Sequence, residues 1–443
     1  MPPVRLDQNI ILRILIFELQ RFLGSDASVN PSTNLRAGIL DGQRWRQFAV
    51  LVNQGLRMEG LKIALTPKDV EASKSLQDLN KILVLKLQSQ DELRVPIQAS
   101  EPKPSYREDV EARKELDVIH AYKVWYGTNR APNDQRDLSK GFTSEQVDAV
   151  QYGFCEVNIP KSHKLGSLGS SLIRRWFTGI DDRLTIVRNQ EVLDEEFWKR
   201  IASQLETIDV SERDAVVFIH GYNVSFQDAA LRAAQIGYDL GIKGAMAFFS
   251  WPSKGNVEGY PADEATIEAS EPAITKFLAD FAEKSGAARV HIIAHSMGNR
   301  GVLRAVNNIA SSAQARTSVP FDQIILAAAD VDARTFKNLC AAYSKIARRT
   351  TMYVSSRDRA VEAAEWLHSY PRAGLLPPVM LVAGIETVNV TNADLTTLGH
   401  GYVASAREVL QDIFYVLRDR SAKDRFLKET KDDQGQLYWM IGA

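Results

Sequence analysis

From residue 121 onward, short apolar runs alternate with amphipathic stretches. Runs at Gly153–Ile159, Arg183–Arg188, Ala215–His220, Ala245–Trp251, Arg289–Ala294, Gln323–Ala329, Thr350–Ser355 and Ile385–Val390 predict β-strands. Most are β-branched with little polar alternation, the pattern of strands buried on both faces of a parallel sheet. Between them, helical spacing predicts helices over Phe226–Leu240, Asp263–Lys284, Asn299–Ala310, Ala333–Ala347 and Tyr402–Leu417. Repeated β–α units of this kind define an α/β class chain with a doubly wound, mostly parallel sheet.

The first hundred residues read differently. Ile10, Ile11, Ile14, Leu15, Leu19 and Phe22 recur at helical spacing, and further helical stretches are expected over Asp41–Met58 and Lys68–Leu83. The polar, Pro-containing stretch Gln98–Tyr106 reads as a linker. The expected division is a helical N-terminal domain over 1–100, a linker over 101–120, and an α/β domain over 121–443. A helical unit this small has a limited core, which favours burial of the Ile10–Phe22 stripe by self-association. Packing inside the same unit or on the rest of the chain are the alternatives.

Composition narrows the function. The chain has 443 residues and a formal net charge of -1, without the basic footprint of nucleic-acid binding. Cys155 and Cys340 lack any paired spacing, which speaks against a disulfide framework or a cysteine zinc site and fits a reducing compartment. The run Ile10–Phe17 is interrupted by Arg13 and followed by Glu18, with no small-residue cleavage site after it. No stretch is apolar enough to span a bilayer. A soluble cytoplasmic protein is expected.

The chemistry centres on RVHIIAHSMG, Arg289–Gly298. An apolar strand enters Ala294-His295-Ser296-Met297-Gly298 and a helix follows at once. A sharp strand-to-helix turn would lift the Ser296 hydroxyl above the sheet edge, and the residues two before and two after must be small. By average residue usage such a string arises by chance in roughly a third of chains this long, so its placement between strand and helix carries the argument. Ser296 is the expected nucleophile.

VVFIHGYN, Val216–Asn223, ends the upstream strand at His220. In this arrangement the loop after that strand supplies one N–H of an oxyanion hole and the residue after the nucleophile supplies the other. Tyr222 and Met297 are the expected donors, with Gly221 allowing close approach. Among seven histidines, His220, His291 and His295 fall in the loop, strand and turn around the nucleophile. His120 and His163 precede the sheet core, and His368 follows a short helix. His400, in LGHGY between the last strand and the last long helix, is the expected base. The acid follows the serine and precedes the histidine in chain order. Asp358, after TTMYVSS, is preferred, and Asp330, after QIILAAA, is the alternative.

Together VVFIHGYN, AFFSWPSKG with Tyr260 and Asp263, AHSMGNRG, LAAADVD, YVSSRD and GHGY resemble the alpha/beta-hydrolase proteins of the esterase/lipase superfamily. VWYGTNRAPN and YGFCEVNIPKSHKLG are similar to a poorly characterised bacterial branch of it. The resemblance covers about Ala121–Leu417 and leaves residues 1–100 unplaced. It implies the α/β-hydrolase fold, hydrolysis of an ester-like bond and a Ser296, Asp358, His400 triad. No metal or organic cofactor is implied. The expected substrate is a small-molecule or lipid ester. The alternative is a hydrolase-fold effector or binding protein, recruited or assembled through residues 1–100 in a bacterial stress or defence system. Gly166–Asp181 is a lid candidate, and the apolar Pro371–Gly384 a candidate acyl-pocket wall.

Overall fold

The computed structural model describes residues 121–160, 163–168, 183–255, 259–312, 320–358, 361, 370–393 and 406–442, together with 73–91 and single positions between 11 and 69. The chain forms two compact units, one holding the described residues up to Asp91 and one those from Ala121.

In the first unit, helix α1 spans Leu76–Asp91. Ser75 and Asp78 cap it reciprocally: the Asp78 N–H donates to Ser75 Oγ at 3.3 Å and the Ser75 N–H donates to Asp78 Oδ2 at 3.2 Å. Within the helix expected over Lys68–Leu83, Asp69 is helical, residues 73–75 are not, and a helix begins again at this cap and runs on to Asp91. Its face Leu76, Leu79, Leu83 and Val84 shares a core with Ile11, Leu15, Leu19, Phe48, Val52 and Leu56. Ile11, Leu15 and Leu19 are therefore covered inside their own unit. Ile10, Ile14 and Phe22 of the stripe expected to drive self-association lie outside the described residues.

The second unit is built on one sheet of eleven strands: β1 (Ala121–Pro132), β2 (Phe142–Asn158), β3 (Thr185–Glu191), β4 (Asp214–Ile219), β5 (Ala245–Ser250), β6 (Arg289–His295), β7 (Phe321–Ala327), β8 (Ala347–Val354), β9 (Ile385–Asn389), β10 (Lys428–Lys431) and β11 (Leu437–Met440). Their order is β10-β11-β9-β8-β7-β6-β4-β5-β1-β2-β3. The strands from β11 across to β1 are all parallel, while β10 at one edge and β2 and β3 at the other pair antiparallel. Along β4, Ala215, Val217 and Ile219 enter one apolar cluster and Val216 and Phe218 the other. The sheet is therefore covered on both faces, as the near-continuous apolar strands require.

Helix α2 (Asp194–Glu206), α5 (Glu271–Lys284) and α6 (Gly298–Ser312) pack into the first cluster. Helix α3 (Phe226–Asp239) and α9 (Arg407–Leu417) pack into the second. The expected single helix over Asp263–Lys284 is two, α4 (Tyr260–Ala269) and α5, because Pro272 in the first turn of α5 has no N–H to continue the ladder. The expected helix over Ala333–Ala347 divides into α7 (Ala333–Leu339), a 3₁₀ turn and α8 (Tyr343–Ile346), and Ala347 already opens β8. Strand β5 lies on one side of β4 and β6 on the other. Chain connections diverge there, and at such a switch point a crevice opens outside the carboxyl ends of the strands. No helix among the described residues is long and apolar enough to cross a membrane.

Candidate active site

Strand β6 delivers the chain to Ser296 at φ 52°, in the left-handed region. For a non-glycine residue this is strained backbone, held only where the surroundings over-determine it. Here they do. The Ser296 N–H donates to the Ala327 carbonyl at 2.9 Å across to β7. The Ser296 carbonyl accepts from Asn299 Nδ2 at 2.9 Å, and the same amide donates to Ala327 at 3.1 Å. Helix α6 starts two residues later. A Cβ on Gly298 would lie 2.5 Å from the His220 carbonyl oxygen, which is why a small residue must stand there.

The loop after β4 lies directly over this turn, because Ile219 and Ala294 are partners in the parallel register of β4 and β6. A Cβ on Gly221 would sit 2.7 Å from Ser296 Cβ and 3.2 Å from its Oγ. The backbone N–H groups of Tyr222 and Met297 donate to no group among the described residues.

Two buried charges, quoted in the sequence motifs but given no role there, brace this loop. Asn223 is left-handed at φ 56°. Its N–H donates to Asp263 Oδ2 at 3.2 Å, and the same carboxylate accepts from Ser253 Oγ at 2.5 Å and the Lys254 N–H at 2.7 Å. Arg130, on β1, donates through Nη2 to the Val224 carbonyl at 2.8 Å, through Nη1 to Ser253 and Thr143 carbonyls at 3.0 and 3.1 Å, and through Nε to Ser250 Oγ at 2.8 Å. Burial pushes the Arg130 pKa down to about 9, with Asp263 and Asp228 opposing the shift. An arginine inside the apolar run VWYGTNR was the available signal. A cation placed there must be matched by fixed acceptors.

The described histidines have other occupations. His220 stacks on Trp251 with ring centroids 5.1 Å apart, and its nitrogens face the Gly221 carbonyl at 2.8 Å and Ser250 Oγ at 3.2 Å. Burial, followed by the Arg130 charge, pushes its pKa down to about 3, so it is neutral near pH 7. His291 is fully buried between Asp214 and Asp322 near the opposite end of the sheet. His163 pairs with Asp239 at 2.6 Å. His295 is half-buried beside Ser296. His120, His368 and the expected base His400 lie outside the described residues, as does most of Gly166–Asp181.

Both acid candidates are buried. Asp330 is locked in an ionic cluster: it accepts from the Tyr260 hydroxyl at 2.7 Å and Arg300 Nη2 at 3.3 Å, with Arg372 Nε at 3.5 Å. Arg300 also holds the Asp330 carbonyl at 2.7 Å and pairs with Glu264. Asp358 stands past the turn after β8, where its Oδ1 accepts the Val361 N–H at 3.1 Å. Among the described residues no cluster of His, Cys, Asp and Glu is arranged to hold a metal.

A doubly wound parallel sheet, with a strained serine between a central strand and its helix, defines the α/β-hydrolase class. Residues 195–420, just over half of the chain, match the model of a family described as an alpha/beta hydrolase of unknown function (DUF900), and the chain belongs to that family. A comparison with curated proteins gave no match.

Proposed function

We propose that this chain is a serine hydrolase of carboxylic esters. The observation that carries the reading is Ser296 at φ 52° beneath Gly221, with the Tyr222 and Met297 N–H groups unused among the described residues. In this reading Ser296 Oγ attacks the ester carbonyl and His400 takes its proton. The carbonyl oxygen becomes an oxyanion held by the Tyr222 and Met297 N–H groups. Collapse expels the alcohol, protonated by His400, and leaves an acyl-enzyme. Water activated by His400 then releases the acid.

Asp358 is assigned as the acid that orients His400. What supports it is its place past the turn after β8, between Ser296 and the His400 position in chain order, while the Asp330 carboxylate is built into the cluster with Tyr260, Arg300 and Arg372. What supports His400 is its place after β9 and the competing contacts of His163, His220 and His291.

A panel of chromogenic esters with increasing acyl length tests the assignment. Wild-type protein should turn over at least the short members, and Ser296→Ala should lose the activity by roughly a million-fold. Hydrolysis that survives in Ser296→Ala overturns it.

A further inference from the structure

Beside the loop that leaves β7, the chain encloses a cavity of about 260 Å³. One wall is the start of α7 and the other is the strap 370–380. Backbone bonds hold the strap to the loop: the Ala333 N–H donates to Pro371, the Ala373 N–H to Val331 and the Gly374 N–H to Ala329, at 2.9, 2.9 and 3.0 Å. A Cβ on Gly374 would lie 2.4 Å from the Ala329 nitrogen, so strap and loop are in direct contact. The same loop reaches the nucleophile, because the Asp330 N–H donates to the Ser296 carbonyl at 3.4 Å.

The lining has two chemistries. Leu375, Pro377, Val379 and Met380 are apolar, whereas Arg334, Lys337 and Arg372 are cationic. Arg372 faces Asp330. The one carboxylate of the lining among the described residues is Asp332, whose Oδ1 caps α7 by accepting the Thr335 N–H at 2.8 Å. Partial burial works against the Asp332 charge, but its bonds to Thr335 outweigh this and hold its pKa low. Arg334 and Lys337 are exposed, three residues apart on one helix side, and neither has an ion-pair partner among the described residues. An outer hollow of about 290 Å³ shares Asp332, Arg334, Tyr370 and Arg372 and adds Glu264, which is already paired with Arg300. The cavity therefore carries an excess of positive charge over an apolar wall.

We propose that this cavity binds an anionic group, a carboxylate or a phosphate, carried on a short apolar stem. The preferred esters of the Ser296 site would bear such a group, a statement that rests on the serine-hydrolase reading. Two cations on one helical turn match an oxyanion, and the apolar wall takes the stem. The volume lies just below the range of about 300–1,000 Å³ that whole drug-sized ligands occupy, so it suits part of a substrate rather than a long acyl chain.

Calorimetric titration of the full chain with hexanoate, hexyl phosphate and 1-hexanol tests this. The anions should bind about tenfold more tightly than hexanol, and R334Q/K337Q should lose that advantage. The tighter of the two anions identifies the group. Equal affinity for anions and hexanol, or an advantage that survives R334Q/K337Q, overturns the proposal. Binding is read without turnover, so such a failure leaves ester hydrolysis untouched. Selective anion binding in a protein that cleaves no ester would support the cavity and remove only the hydrolase reading.

Discussion

At Ser296, a residue that prefers negative φ is held at 52° by bonds from Asn299 and to Ala327. That conformation makes sense if the hydroxyl must be presented to a substrate. The acid assignment is open to a direct comparison at the same scale. Asp358→Asn should lower kcat by about 10⁴-fold, since the imidazole loses the partner that sets its tautomer. Asp330→Asn should act on stability instead, because it leaves Arg300 and Arg372 without their shared carboxylate. Steady-state kinetics beside thermal melts would separate the two. A larger kcat loss in Asp330→Asn reverses the assignment.

Among elements, the loop after β4 depends on groups far from it in sequence. Arg130 ties Val224 to Ser253, and Asp263 ties Asn223 to Lys254. Arg130→Lys cannot reproduce the planar fork, so the loop should loosen and misplace the Tyr222 N–H. The expected result is a kcat lower by about 100-fold with KM little changed, as for loss of one oxyanion donor. An equal rise in KM with kcat intact would show that the brace serves binding instead.

The same element scale shows what was legible in the chain. Strands β4 to β8 were readable because most of their residues are buried on both faces, which leaves a short apolar run in each, and β9 (IETVN) because its β-branched residues keep that pattern. The elbow was readable because its steric demands fall on neighbouring positions, Ala294 and Gly298. Strand β1 was not, since Lys123, Asn129 and Arg130 break its apolar signal, and Asn129 and Arg130 find partners far along the chain, at Ser270 and Ser250. The edge strand β10 (KETK) is polar and mostly exposed, and its neighbour β11 (LYWM) is four residues long and only partly buried, so neither carries the apolar run of a central strand. Helix α2 hides Phe197, Trp198, Ile201 and Leu205 among charges. The Asp330 cluster joins residues on four separate segments, and no local pattern announces it.

For the whole molecule, the two compact units raise the question of independence. A fragment starting near residue 110 should keep its own core and hydrolyse a short ester at close to the full-length rate. An insoluble or inactive fragment would show that the first unit completes the second. Global stability should also carry the signature of Asp412, which accepts from the Tyr353 hydroxyl at 2.6 Å in the interior. Burial raises the Asp412 pKa to about 6, against the pull of Arg425 and Tyr353. In the unfolded chain an aspartate titrates near about 4, so the folded state holds this proton more tightly. The associated stability is full below about pH 4 and is lost as pH rises through about 6. Asp412→Asn should remove that loss. Its melting temperature relative to wild type should therefore climb between pH 4 and 7, and a flat or falling difference would contradict the sign.

The central claim is that Ser296 is the activated nucleophile. A fluorophosphonate probe, read by intact mass and peptide mapping, tests it most directly. One adduct is expected, on the peptide containing Ser296, and none in Ser296→Ala. Labelling that maps to another residue, or that persists in Ser296→Ala, would contradict the account.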